Sequence, residues 1–296
     1  MRNVLTIDVE DYFQVHAFQS AISRNSWDSY TARVVDNTRQ ILALLAACDV
    51  RATFFILGWV AERFPELVRE IAAQGHEIGT HGYWHELVYH QTPTTFAGDL
   101  RDSLEVIQDA VPGAQVIGYR APAFSITNES LWALDVLADH GIRYDSSIFP
   151  LSLHDRYGIK NAQRFATRLA NGMWEFPAST VQLGRWNWPV AGGGYFRLYP
   201  RWLTEQAIRH LNREGQPAVI YLHPWEFDPA QPRVNDVSQL TKFRHYVNLS
   251  KTEERLRYLL ERYSFGPMAQ VFAKELADSS TSQLPVQALE RAVLAS

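Results

Sequence analysis

Val4-Leu5-Thr6-Ile7-Asp8-Val9-Glu10-Asp11 is an apolar run that ends in three carboxylates. Such a run predicts a buried strand, and acids at its end are costly unless they bind something or meet water. With strand alternation carried through Glu10, Asp8 and Glu10 share a face and Asp11 points away. The pattern repeats along the chain. Ala52-Thr53-Phe54-Phe55-Ile56-Leu57-Gly58 reads as a second buried strand. Val116-Ile117-Gly118-Tyr119 ends in Arg120-Ala121-Pro122, and Ile142-Arg143-Tyr144 leads into Asp145-Ser146-Ser147. Trp174-Glu175-Phe176-Pro177 has strand character, and Pro217-Ala218-Val219-Ile220-Tyr221-Leu222 runs into His223-Pro224-Trp225-Glu226. Helical periodicity separates them over residues 36–47, with Asp36 as N-cap, then 65–73, from Thr92 onward with Phe96, Leu100, Leu104 and Ile107 on one stripe, 128–139 and 200–212. Alternating strands and helices with polar residues at the C-terminal strand ends predict a parallel α/β barrel. Gly192 to Leu198 is expected as a glycine turn entering a short strand. It lacks the Lys-Ser/Thr pair of a phosphate loop. Residues 228–250 are expected as a long loop.

Gly75-His76-Glu77-Ile78-Gly79-Thr80-His81-Gly82-Tyr83-Trp84-His85-Glu86 supplies two imidazoles four residues apart. On a helical turn that spacing puts both on one face, where they can hold one metal ion. Two ligands do not complete a site, so other strand ends must supply an oxygen ligand, a base and an acid. The bulk numbers suit a globular enzyme: 296 residues, 46% hydrophobic and 20% charged. A net charge of −4 gives no basic footprint for nucleic acid, and the single Cys48 excludes an intrachain disulfide. No stretch reaches membrane-spanning length and the N-terminus lacks a long apolar leader, so a cytoplasmic location is expected. Trp186, Trp188, Trp225 and Tyr195 are candidates for a sugar groove, with core packing as the competing reading.

In order, these strand ends resemble the motifs of the NodB-type polysaccharide deacetylases, carbohydrate esterase family 4. Thr6-Ile7-Asp8-Val9-Glu10-Asp11 stands where that family has Thr-Phe-Asp-Asp-Gly. His81-Gly82-Tyr83-Trp84-His85 matches His-x-x-x-His, and Arg120-Ala121-Pro122 matches Arg-x-Pro. Asp145-Ser146-Ser147 matches a fourth motif loosely, and Leu222-His223-Pro224 a fifth, with its histidine displaced by one place. Asp8-Val9-Glu10-Asp11-Tyr12-Phe13, Gly192-Gly193-Gly194-Tyr195-Phe196-Arg197 and His223-Pro224-Trp225-Glu226 look closest to a subgroup found beside bacterial exopolysaccharide and exosortase genes.

The resemblance implies an α/β fold: a distorted (β/α) barrel with parallel strands over residues 1–266, then a tail over 267–296, helical or mobile. It implies a metal-dependent hydrolase that removes N-acetyl groups from a bacterial polysaccharide or lipid-linked oligosaccharide. The ligands would be Glu10, His81 and His85, with Asp11 as the alternative to Glu10. Zinc suits such a set, and cobalt or nickel also fits. Asp8 would be the base, Arg120 its partner, and His223 the acid, tuned by Asp145. A backbone N–H near Tyr12 would face the oxyanion. Tyr12, Pro122, Asp145, Tyr195, Arg197 and Trp225 are the expected substrate contacts. The competing readings are a cyclic amide hydrolase of allantoinase or imidase type, and an inactive glycan-binding barrel.

Overall fold

The computed structural model describes residues 1–151 and 158–277. Residues 278–296 of the tail expected as helical or mobile lie outside them. The chain opens with β1 (Arg2–Val9), then α1 (Val34–Ala47), β2 (Thr53–Ile56), α2 (Gly58–Arg63), α3 (Pro65–Ala73) and β3 (Glu77–Thr80). It continues through α4 (Pro93–Ala110), β4 (Gly118–Tyr119), α5 (Ala133–Asp139), β5 (Tyr144–Asp145), β6 (Thr167–Arg168), β7 (Trp174–Glu175), β8 (Thr180–Leu183) and β9 (Trp186–Pro189). Last come α6 (Gly193–Leu198), α7 (Arg201–Arg213), β10 (Val219–Leu222), α8 (Gln239–Tyr246), α9 (Thr252–Leu260), β11 (Ser264–Gly266), α10 (Met268–Val271) and α11 (Ala273–Ala277).

The main sheet runs β10-β1-β2-β3-β4-β5-β7-β6, with β11 also on β1. Its pairings are parallel except β6 with β7. In β1 every residue after Arg2 is buried, as a parallel strand covered on both faces requires. Tyr221 N donates to Ala191 O at 2.9 Å and Val219 N to Ser179 Oγ at 2.7 Å, so the segment around β8 and β9 closes most of the gap beside β10. Gly192 makes that closure possible. Its φ is +153°, and a Cβ there would lie 1.8 Å from Tyr221 O. The result is a distorted barrel whose strand C-termini open on one rim.

Several boundaries differ from expectation for tertiary reasons. The helix α1 starts at Val34, two residues before Asp36, because the buried Asp11 carboxylate accepts from both Arg33 N and Val34 N. Gly193–Leu198 is a helix and not a strand. Its last carbonyls are satisfied from outside: Asn248 Nδ2 reaches Arg197 O at 3.0 Å and Arg255 Nη1 reaches Phe196 O at 2.8 Å. The expected loop over 228–250 contains α8, capped by the Ser238 hydroxyl on Thr241 N. No helix among the described residues is long and apolar enough to cross a membrane.

His76 is buried against Phe54 and accepts from Ala52 N at 3.2 Å through Nδ1. Burial, aided by Arg51, pushes its pKa down to about 4. A histidine held neutral this way contributes stability above its unfolded pKa, and that contribution is lost as pH falls from about 6.5 towards 4. Urea unfolding should therefore show the wild type losing up to about 3 kcal/mol more than His76→Gln across that window. Parallel pH curves for the two proteins would refute this.

Candidate metal and catalytic site

The first-strand acids diverge as alternation requires. Asp8 and Glu10 face the rim interior, and both are within 4 Å of His223 Nε2, at 3.8 Å from Asp8 Oδ2 and 3.7 Å from Glu10 Oε1. Asp11 turns the other way. It accepts from Tyr12 N at 2.8 Å besides the start of α1, and burial raises its pKa to about 6. Asp11 is thus built into the scaffold and does not join Glu10. The Tyr12 N–H is engaged by Asp11 and not aimed at a reacting oxygen.

Arg120 is fully buried at the end of β4 and faces Asp8, with Nη1 2.9 Å from Oδ1. Its remaining donors are spoken for: Nη1 also meets Thr6 Oγ1 at 2.5 Å, Nε reaches Ser146 O at 3.0 Å, and Nη2 reaches Ser146 Oγ at 2.7 Å. The guanidinium lies over the Phe55 ring, 4.5 Å from its centroid. A buried carboxylate needs such a partner.

His81 and His85 do not lie on a helix. β3 ends at Thr80, and the chain then turns through Gly82 at φ +71° and His85 at φ +53°. Asp99 on α4 pins the turn by accepting from Tyr83 N at 2.8 Å and Trp84 N at 3.0 Å. A Cβ on Gly82 would come within 2.7 Å of the same carboxylate. The turn brings the two ring centroids to 5.2 Å. His81 Nδ1 donates to Arg120 O at 2.7 Å, which leaves Nε2 free. Burial pushes the His81 pKa down to about 4, keeping the neutral form that binds metal. Burial alone would raise the Glu10 carboxyl, but the His85, His223 and His81 imidazoles together hold it well below the usual range.

The residues present fit a divalent cation. Glu10, His81 and His85 each offer a ligand atom, and those atoms all lie within 4.8 Å of one another. Buried Glu10 Oε2 lies 2.5 Å from His85 Nε2 and has no other partner among the described residues. Two imidazoles and a carboxylate suit zinc, cobalt or nickel.

His223 is oriented by a residue not assigned to it beforehand. Its Nδ1 lies 2.8 Å from Glu226 Oε1, which also accepts from His223 N at 3.0 Å. Arg197 Nε holds the other Glu226 oxygen at 2.6 Å. Burial disfavours the imidazolium, but the Glu226 hydrogen bond, Glu10 and Asp8 outweigh it and lift the His223 pKa to about 9. Asp145 turns to other partners. It is fully buried and accepts from Ser147 N at 3.2 Å and from the Ser147 hydroxyl. Arg197 is likewise no groove residue: it is buried and donates to the carbonyls of His245, Val247 and Arg244.

Trp225 is buried between His223 and His245, at centroid distances of 5.1 and 4.2 Å, and its Nε1 donates to Glu10 Oε1 at 3.0 Å. It orients a carboxylate instead of presenting a face to sugar. Tyr12 and Pro122 are buried, whereas Tyr195 is half-buried beside Tyr199. The sequence reading also missed Asp99, Ser146 and His245. Only Glu226 had a signal: an acid three residues after a histidine can bond back to it across a short turn.

Residues 26–144 match the polysaccharide deacetylase family, and residues 146–273 match a domain of unknown function, DUF3473. A peptidoglycan deacetylase of Helicobacter pylori is 36% identical over 112 residues, 37% of this chain and 36% of that protein. A chitooligosaccharide deacetylase of a Bradyrhizobium species is 32% identical over 101 residues, 34% of this chain and 43% of that one. The chain thus spans less than half the length of these relatives. Among solved structures, a putative polysaccharide deacetylase from Mycobacterium smegmatis superimposes with a TM-score of 0.60 at 20% identity, covering 96% of this chain and 92% of that one. The peptidoglycan deacetylase PdaC of Bacillus subtilis gives a TM-score of 0.50 at 15% identity, covering 94% and 92%. Both likenesses concern the fold.

Proposed function

We propose, from the premise that this chain carries a polysaccharide deacetylase domain of the NodB type, that it hydrolyses N-acetyl groups on the sugars of a bacterial polysaccharide or lipid-linked oligosaccharide with the help of a divalent cation. One observation carries the reading: the Glu10, His81 and His85 ligand atoms converge beside an Arg120-paired Asp8 and beside His223. The three ligands would hold the cation, zinc being the leading candidate. When bound, such an ion polarises an amide carbonyl and makes a coordinated water more acidic.

The chain's own groups account for the proton transfers. Asp8, kept in place by Arg120, takes a proton from the water whose oxygen attacks the acetyl carbon. As the C–N bond breaks, His223 Nε2 gives its proton to the sugar nitrogen, so the products are acetate and a free amine. Glu226 and Arg197 hold the His223 ring with Nε2 towards the acids. The relatives' printed activities and the family match support an N-acetylated glycan as substrate.

The test is acetate release from acetylated chito-oligosaccharides, poly-N-acetylglucosamine and peptidoglycan fragments, run beside cyclic amides with zinc, cobalt or nickel added. Acetate from at least one glycan is expected. Ring opening of a cyclic amide with no acetate from any glycan overturns the proposal.

A further inference from the structure

We propose that Asp145 and Glu175 share one proton, and that this buried acid pair is the brace that positions Arg120 against Asp8. The second half of the inference rests on the deacetylase reading above. The two acids are registered partners across the parallel strands β5 and β7, so their side chains leave the sheet on the same face. Asp145 is fully buried and Glu175 is 3% exposed. Two adjacent carboxylates in a dry interior cannot both be ionised without a cation between them. Among the described residues no Lys or Arg side chain donates to either acid. Asp145 accepts from the Ser147 N–H and hydroxyl, and Glu175 Oε1 accepts from Ile148 N at 3.1 Å. Glu175 Oε2 is buried and meets no donor among the described residues, which suits an oxygen that carries a hydrogen of its own.

The surroundings assign the proton to Glu175. Burial pushes both carboxyls up. The Asp145 charge and the hydrogen bond between the two lift Glu175 further, well above the usual carboxyl range, and the same bond draws Asp145 back down. Glu175 is thus the donor and Asp145 the charged acceptor. Of the other titratable groups facing the pair, Arg120 is committed to Asp8, Thr6 and Ser146, and Tyr119 is kept neutral by burial. The acids act on the site through the next two residues. The Ser147 hydroxyl donates to Asp145 and accepts from Ala121 N at 2.7 Å. Ser146 accepts from Arg120 at both its carbonyl and its hydroxyl, and that hydroxyl donates to Phe176 O at 2.7 Å, one residue past Glu175. The turn that receives Arg120 is therefore gripped from the ends of both acid-bearing strands. An ionised Glu175 would repel Asp145 and loosen that grip.

Infrared difference spectra of the wild type against Glu175→Gln at neutral pH test the proton. They should show the carbonyl stretch of a protonated carboxyl group, a band that a carboxylate lacks. Urea unfolding checks the sign. A proton held by the folded chain and lost by the unfolded one lowers stability as pH rises, so the wild type should lose stability relative to Glu175→Gln from about pH 4.5 towards neutrality. For the brace, Glu175→Leu should lower kcat for acetate release from acetylated chito-oligosaccharides with zinc added, by about tenfold and with little change in KM, the loss expected for one hydrogen bond to a charged group. Glu175→Gln, whose amide still donates to Asp145, should recover most of that loss. Should Glu175→Leu fail to fold, Ser147→Ala serves: its kcat should fall while the infrared band stays. A wild type without the band, or parallel pH curves, overturns the shared proton. A band present with kcat unchanged in Glu175→Leu or Ser147→Ala overturns the brace and spares the deacetylase reading. No acetate from the wild type overturns that reading and the brace with it, and the infrared band then decides the shared proton.

Discussion

His81→Ala is expected to strip the protein of its divalent metal and, with it, of acetate release. Removal of a residue that merely orients a metal ligand costs about 10–100-fold in affinity or activity, so loss of a ligand should exceed a hundredfold. The reason lies in the geometry. With its Nδ1 committed to Arg120 O, His81 has only Nε2 to offer, and alanine leaves Glu10 and His85 as the two remaining members of the cluster. Elemental analysis after dialysis and an acetate assay check both halves. His140→Ala is the control, because that imidazole is exposed and, among the described residues, bonds back to Val136 O. A His81→Ala protein that kept its metal and its activity would sink the assignment of the whole cluster.

Arg120→Met should lower unfolding free energy by about 3–5 kcal/mol, the usual cost of leaving one partner of a buried pair uncompensated. Asp8 is 2% exposed, and the same substitution takes donors from Thr6 and Ser146. The double variant Asp8→Asn/Arg120→Met should recover part of the loss, since it removes the stranded charge. Urea unfolding of the wild type, both single variants and the double variant gives the coupling directly. If Arg120→Met alone costs less than about 1 kcal/mol, in the range of a surface pair, the guanidinium is not what supports the Asp8 side chain in the interior.

Much of the architecture was readable because parallel strands covered on both faces leave a plain mark: short apolar runs that break into polar residues at one end. The runs at Val4, Thr53 and Val219 appear as β1, β2 and β10, with Asp8, Arg120 and His223 at one rim. Expectation failed where short segments are held by distant groups. Three successive glycines suggested a turn before residue 195, yet Asn248 and Arg255 cap the carbonyls of a helix there. The His81–His85 spacing suggested a helical face. Asp99, fourteen residues beyond His85, instead folds that stretch into a turn which still brings the rings together.

Alternation along a strand is a local property of the backbone, so residues 4–11 sufficed to put Asp8 and Glu10 on one side and Asp11 on the other. The partner that a buried charge finds is not local. Glu226, not Asp145, meets His223, and Arg197 and Trp225 turn inward to Glu226 and Glu10, because unpaired charges and N–H groups inside a protein take whichever partner the packing of remote elements brings within about 3 Å. Side-chain direction was therefore legible in the order of residues, while the pairing of buried charges waited on the closing of the sheet.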